Sequence, residues 1–290
     1  MGKKLWLLYA LITTVSWGIW GALTEVSSKA GFPETLIYVV WSVTMIIPAV
    51  IALKTVNWEL ETDSKSILYG FIIGLLGAGG QLALFTGAIT NGPAYLIFPI
   101  ISLSPVVTIL LSVLLLGEKT SRMGWIGVIL ALISIPFLSY QDPEGGISNY
   151  AWFIFALLVF FAWGLQAYFM RFANQTMKAE SIFFYMTITG LLLAPIAWYM
   201  TDFSQEINFS AKSLWMVFGI QILNSIGALM IVYAFRYGKA IIVSPLTNAV
   251  APVITVILSL LLYKTVPHPY IIVGMIIAVI SMFILATQEE

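Results

Sequence analysis

Ten long apolar stretches follow one another along this 290-residue chain, each separated from the next by a short run of polar or turn-forming residues. They cover about Leu5 to Leu23, Glu34 to Leu53, Ser66 to Ile89, Pro93 to Leu116, Met123 to Tyr140, Ala151 to Phe172, Ser181 to Met200, Leu214 to Tyr237, Ala240 to Leu262 and Tyr270 to Ala286. Apolar character within each stretch is continuous rather than alternating, which predicts helices and argues against barrel strands. Turn signals fall between them at Gly31 to Pro33, Asn91 to Pro93, Asp142 to Gly146 and Pro267 to Pro269. At about 20 residues per crossing, ten spans consume roughly 200 residues and leave room only for short connections.

The spans fall into two faint copies, residues 1–140 and 149–287, at an offset of 146 to 147 positions. Ala10, Leu11, Trp17 and Gly18 match Ala156, Leu157, Trp163 and Gly164, while Ala88, Gly92, Ala94 and Pro99 match Ala234, Gly238, Ala240 and Pro245. One residue later in register, Pro105, Thr108 and Ser112 match Pro252, Thr255 and Ser259, and Gly127, Ala131 and Ser134 match Gly274, Ala278 and Ser281. Five spans per copy is an odd number, so the second copy enters the membrane inverted. The expected fold is an all-α integral membrane protein of ten transmembrane helices arranged as two inverted five-helix repeats. Such repeats characterise secondary transporters, whose substrate site lies near the bilayer midplane between the halves.

Composition agrees with this pattern. The chain is 60% hydrophobic and 9% charged, against roughly 45–50% and 25% in soluble domains. Lys and Arg together number 13, as do Asp and Glu, so no basic field advertises a nucleic-acid partner. Cysteine is absent, which excludes disulfides and thiolate chemistry. The apolar run after Lys3 and Lys4 mimics a signal peptide, but Trp17-Gly18 is repeated inside the second copy, so the first span belongs to the fold. With the N-terminus inside, Lys3, Lys4, Lys54, Lys65, Lys119, Arg122, Arg171, Lys178, Arg236 and Lys239 face the cytoplasm, and Lys29, Lys212 and Lys264 the other side. This asymmetry places both termini in the cytoplasm of a multi-pass protein of the cell (inner) membrane.

Candidate chemistry lies in polar groups deep within spans. Gln81, Gln166, Gln221, Asn224 and Asn248 sit on spans three, six, eight and nine, where an unpaired amide costs several kcal/mol. Each amide could bond across helices, but spans five and ten offer only Ser134 and Ser281, so those two look peripheral and the others look like a cavity wall. Trp17 and Trp163 lie too deep for the interfacial belt that suits Trp6, Trp152 and Trp198, and they join Trp20, Tyr95 and Tyr168 as candidate wall residues, with core packing as the alternative. Pro99, Pro105, Pro245 and Pro252 predict kinks that shape or gate the cavity in spans four and nine, against packed kinks without function. Thr108 with Ser112 and Thr255 with Ser259 predict small-residue faces for close packing of these two helices. A glycine stripe in span three, Gly70, Gly74, Gly77, Gly79 and Gly80, predicts close helix contact before any substrate role. No carboxylate lies at mid-depth, Glu25 and Glu118 standing near span ends, which disfavours a pump driven by a buried acid. HExxH, Walker and nucleophile-base sequences are missing, so no enzyme, cofactor or metal is expected.

Trp17-Gly18 with Lys29 downstream, Gly92-Pro-Ala94 through Pro105 to Gly117-Glu-Lys119, and Gly238 to Pro252 together resemble the drug/metabolite transporter superfamily in its ten-helix EamA-type branch. The resemblance covers the whole chain and implies a central cavity walled by spans one to four and six to nine. It departs at the end of the ninth span, where Leu262-Tyr-Lys264 replaces Gly-Glu.

The expected function is a secondary carrier, an exporter or exchanger of small neutral or zwitterionic metabolites such as amino acids, working by alternating access. Alternatives are a sugar or nucleoside uptake carrier, a lipid-linked headgroup flippase and, further off, a non-transporting scaffold. The expected partners are the solute and the lipid bilayer, with a monomer the simplest oligomeric state.

Overall fold

The computed structural model describes residues 4–84, 86, 100–138, 140, 151–263 and 268–287. Among these residues all regular structure is helical. The order is α1 (Leu5–Lys29), α2 (Glu34–Thr44), α3 (Ile46–Thr55), α4 (Ser64–Gly74), a π-helical turn (Leu75–Gly79), α5 (Gly80–Ala83), α6 (Pro105–Leu115), α7 (Arg122–Leu138), α8 (Ala151–Ala173), α9 (Ala179–Tyr199), α10 (Ala211–Tyr237), α11 (Ala240–Tyr263) and α12 (Pro269–Ala286). Among the described residues eight segments are long and apolar enough to cross a membrane, α2 with α3 and α4 through α5 counting as one each. Two shorter apolar helices, Ile100–Leu115 and Arg122–Leu138, accompany them.

Local chemistry sets these boundaries. Asp63 begins α4 by accepting from the amides of Lys65 and Ser66, both at 3.1 Å. Ser210 accepts from the Ser213 amide at the start of α10. The break between α2 and α3 at Met45 precedes Pro48, which has no N–H to give the Thr44 carbonyl. Gly117, at φ +64°, turns the chain after α6 in a conformation that a side chain disfavours.

Pro105 stands at a break within the apolar segment Ile100–Leu115. Leu103 and Ser104 form tight turns, bonded to Ile100 and Ile101, and α6 begins at Pro105 itself, where a missing N–H is harmless. Pro245 and Pro252, by contrast, lie inside the continuous α11. Pro99 and Tyr95 lie outside the described residues.

α1 packs between α10 and α11, while α8 packs between the α4 to α5 segment and α6. The two crossings use the same device. The Thr255 hydroxyl donates to the Gly18 carbonyl at 2.9 Å and the Thr108 hydroxyl to the Gly164 carbonyl at 3.0 Å. Added Cβ atoms at Gly18 and Gly164 would meet the Ala251 and Ser104 carbonyls at 3.0 and 2.7 Å, so only glycine permits this approach. These threonines thus bond α11 to α1 and α6 to α8, while α6 and α11 also pack against each other.

α7 and α12 pair with each other and against α11, and the Ser281 hydroxyl donates to the Gly127 carbonyl at 2.8 Å. Leu114, Ile154, Leu192, Trp215 and Phe283 are exposed on the outer surface, an arrangement suited to acyl chains rather than water. Trp198 is exposed as an interfacial residue should be, whereas Trp6 and Trp152 are buried at 2% and 4% exposure. Both are core residues because close helix contacts, such as Trp6 against Gly238, enclose them.

Candidate functional site

Where α1, α2, α8, α9, α10 and α11 converge on the glycine-rich third segment they leave a cavity of about 220 Å³. One water molecule needs only roughly 10–15 Å³ of such space, so a solute of several heavy atoms fits. The π turn contributes Gly77 and Ala78 to the wall, and Gly74 precedes it. π turns widen a helix locally and recur at functional sites. The glycine stripe also packs: Gly70 lies under Tyr185, Gly74 under Thr189 and Gly77 under the Gln166 amide.

Four tryptophans line the space, Trp17 and Trp20 from α1, Trp41 from α2 and Trp163 from α8. Their polar edges are engaged by or turned into the walls. Trp17 Nε1 donates to the Asn224 carbonyl at 3.3 Å, and Trp20 Nε1 to Gln221 Oε1 at 3.2 Å. Trp163 Nε1 lies 2.7 Å from where a Cβ on Gly80 would stand, and Trp41 Nε1 is buried. The rings therefore offer carbon surface and π density, which attract cations and repel anions.

Amides supply the polar part. Gln81, Gln166, Asn224 and Asn248 all line the cavity. Among the described residues no hydrogen bond engages the side chains of the first three, and Asn248 Nδ2 donates only to the Ser244 carbonyl of its own helix, at 2.9 Å. Among the described residues no acidic or basic side chain is on this wall.

Of the residues singled out from sequence, Trp17, Trp20, Gln81, Trp163, Gln166, Asn224 and Asn248 converge here. Gln221 stands behind Trp20 in an adjoining niche. Tyr168 does not reach the cavity; it is buried against Phe169 and Phe172, because its position on α8 turns it from the face carrying Trp163 and Gln166. Trp41, Met45, Met170, Met186 and Ser244 also line the wall and were missed. Trp41 lies seven residues into its span, about 10 Å along the axis, so the depth argument applied to Trp17 could have found it. The flexible methionines carried no sequence signal that distinguishes a cavity wall from a core.

Beside the cavity lies a polar network that sequence reading also missed. Met170 and Phe235 line the cavity, and the next groups are charged. Arg171 Nε donates to Glu118 Oε1 at 2.8 Å, and its Nη1 donates to the carbonyls of Phe235 at 3.0 Å and Arg236 at 3.3 Å. Glu118 Oε2 accepts from the Ile241 amide at 3.1 Å, in the first turn of α11. The pair thus ties the segment after α6 to α8, α10 and α11.

An all-helical bundle with lipid-facing apolar surfaces and an amide-lined internal cavity defines a class, the polytopic membrane transporters. The profile of the EamA-like transporter family matches residues 4–140 and again 150–287, and the chain belongs to that family. It is a multi-pass membrane transporter, not an enzyme. Curated relatives include "Protein LicB" of Haemophilus influenzae, 26% identical over 210 residues that make up 65% of this chain and 70% of that protein. Another is an "Uncharacterized transporter in cobO 3'region" of Sinorhizobium sp, 32% identical over 42% of this chain and 88% of that protein. "Uncharacterized protein MJ1333.1" of Methanocaldococcus jannaschii is 34% identical over 34% of this chain and 70% of its own length. One solved crystal structure shares the fold at a TM-score of 0.77, covering 96% of this chain and 98% of its own, at 18% identity.

Proposed function

We propose that the chain is a secondary carrier of small neutral or zwitterionic metabolites, exporting or exchanging them by alternating access. The observation that carries this reading is the set of amides, Gln81, Gln166 and Asn224, that face the cavity without a protein partner among the described residues. A purely structural amide in a bilayer finds a partner on a neighbouring helix; three that converge unpaired on a solute-sized space await a ligand. The indole faces accommodate the cationic end of a zwitterion without a buried carboxylate.

The reading includes ten spans in two inverted five-helix repeats, both termini in the cytoplasm of the inner membrane, and a monomeric unit. Matching bonds from Thr108 to Gly164 and from Thr255 to Gly18 support the repeat. In this topology Glu118 and Arg171 lie at the cytoplasmic end, and the break before Pro105 and the prolines of α11 are the points at which the halves flex.

Reconstituted into liposomes, the protein should exchange such a solute saturably. Replacing Gln166, Asn224 and Asn248 together by alanine should abolish exchange while the protein still folds. Wild-type rates from that variant would refute the site.

A further inference from the structure

α6 and α7 follow one another in the chain with six residues between them, yet they scarcely touch; α11 packs against each. The space left between the two is a groove of about 240 Å³ on the outside of the bundle, separate from the internal cavity. Ile109 and Val128 form its buried floor, and Leu110, Leu114, Trp125 and Ile129 its exposed rims. All of its lining residues are Val, Ile, Leu or Trp, so no carboxyl, amide or hydroxyl is available there to a polar solute.

Its length and its ends narrow the choice of occupant. On α6 the lining runs from Val106 to Leu114, about 12 Å at 1.5 Å per residue. That is a little under half of a hydrocarbon core about 30 Å thick. Leu114 is one residue from the end of α6 and Trp125 lies in the first turn of α7, so the groove starts beside the connecting loop and stops near mid-membrane. A partner helix crossing the bilayer would run through the full thickness. An acyl chain belonging to one leaflet stops at the middle.

The loop end carries charge. Lys119 and Arg122 are exposed, and among the described residues neither side chain has an ion-pair or hydrogen-bond partner. Arg122 precedes Trp125 and Ile129 by three and seven positions, which puts it on the groove face of α7. Glu118, the acid of the same loop, is turned the other way: it is 8% exposed and holds Arg171 and the Ile241 amide. The loop therefore sets two unbalanced positive charges beside the mouth of an acyl-sized groove. In the topology proposed above this end faces the cytoplasm, whose leaflet carries anionic lipids. We infer that the groove binds an anionic phospholipid, with one acyl chain between α6 and α7 and the phosphate against Lys119 and Arg122. The site is independent of what the internal cavity carries.

The test uses the full chain in mild detergent with an equimolar mixture of dioleoylphosphatidylglycerol and dioleoylphosphatidylcholine, and native mass spectrometry counts the lipid retained. Wild type should keep one phosphatidylglycerol in preference to phosphatidylcholine by about twentyfold, each cation near the surface contributing about fivefold. Lys119→Gln and Arg122→Gln should each cut the preference about fivefold, and together abolish it. Lys54→Gln with Lys65→Gln, exposed cations on other segments at the same end, should leave it unchanged. Leu110→Trp fills the groove without touching a charge and should lose the retained lipid of either kind, with Leu114→Gln as a second variant at the mouth. All variants should melt as wild type does in detergent alone, because the replaced side chains are exposed. Glycerol 3-phosphate, which has the charge and no chain, should not raise the melting temperature. Equal retention of the two lipids, a preference that survives loss of both Lys119 and Arg122, or unchanged retention in both groove variants overturns the site. A species of twice the chain mass that Leu110→Trp reduces to one chain gives the groove to a second copy instead. Transport without lipid retention overturns the lipid site alone, and retention without transport of any solute overturns only the carrier reading.

Discussion

Removing the charge of Glu118 isolates what the polar network between α6, α8, α10 and α11 contributes. Glu118 and Arg171 retain 6% and 22% of their side-chain exposure, so the pair is buried on one side and partly hydrated on the other. Breaking a fully buried pair by truncating one partner costs about 3–5 kcal/mol, whereas exposed pairs are worth about 0–1. Discounted for the hydration of Arg171, Glu118→Ala should cost about 2–3 kcal/mol, including the Ile241 amide left without its acceptor. Glu118→Gln keeps an acceptor for that amide and loses only the charge, so about 1–2 kcal/mol is expected. Arg171→Met also releases the Phe235 and Arg236 carbonyls. The coupling in the cycle formed by Glu118→Gln, Arg171→Met and the double variant should be about 1–2 kcal/mol, within the range for residues in contact. Thermal melts of the purified protein measure the three differences. A readout of geometry accompanies them, because the chain has no native cysteine. A cysteine replacing Ser244, on the cavity wall, should react faster with a membrane-impermeant maleimide once Glu118 is neutralised, since α11 is then released at its first turn. Additive losses, with coupling under about 0.3 kcal/mol, together with unchanged labelling, would show that the contact ties nothing together.

Two further outcomes follow from the geometry. Gly80→Ala and Gly227→Ala place a Cβ 2.7 Å from Trp163 Nε1 and 2.5 Å from Trp17 Cδ1 respectively; displacing the indoles should cost about 1–3 kcal/mol of stability and weaken solute binding severalfold. Higher melting temperatures with intact binding, the result expected if helix propensity dominated, would refute the contacts. Hydrogen bonds from Ser66 hold the Asp63 carboxyl below its ordinary range. A depressed folded-state pKa contributes stability that is present above the unfolded value near ~3.9 and is lost as pH falls through the folded value. Melts between about pH 5 and pH 2.5 should therefore fall more steeply for wild type than for Asp63→Asn, which keeps a capping side chain; parallel curves would remove Asp63 from the account.

The helices were legible because a bilayer imposes a length and a polarity that few other environments demand. Most of the cavity was legible for the same reason: Gln166 or Asn224 at mid-depth is costly enough to require either a partner or a ligand. What the sequence hid are properties of facing helices. Tyr168 and Gln166 are two residues apart, and their different faces on α8 separate a core aromatic from a cavity amide. Pro105 and Pro252 occupy matching positions, yet one opens a helix and the other lies within one. The Glu118–Arg171 contact joins charges 53 positions apart, and each alone reads as an ordinary charge near a span end.

The matching crossings and unequal polar groups together explain how such a bundle can be built from a repeat and still enclose an asymmetric cavity. Thr108 with Gly164 and Thr255 with Gly18 fix backbone approaches, which tolerate few residue types and so keep the trace of the repeat. Side chains that reach the cavity are free of that constraint. At the positions where α1 presents Trp20, the offset of 146 places Gln166 on α8, and the two enter different contacts: Trp20 bonds Gln221, while Gln166 lies over Gly77. Three of the four cavity tryptophans come from the first copy and three of the four cavity amides from the second, so the symmetry of the repeat is kept in the crossings and lost in the wall.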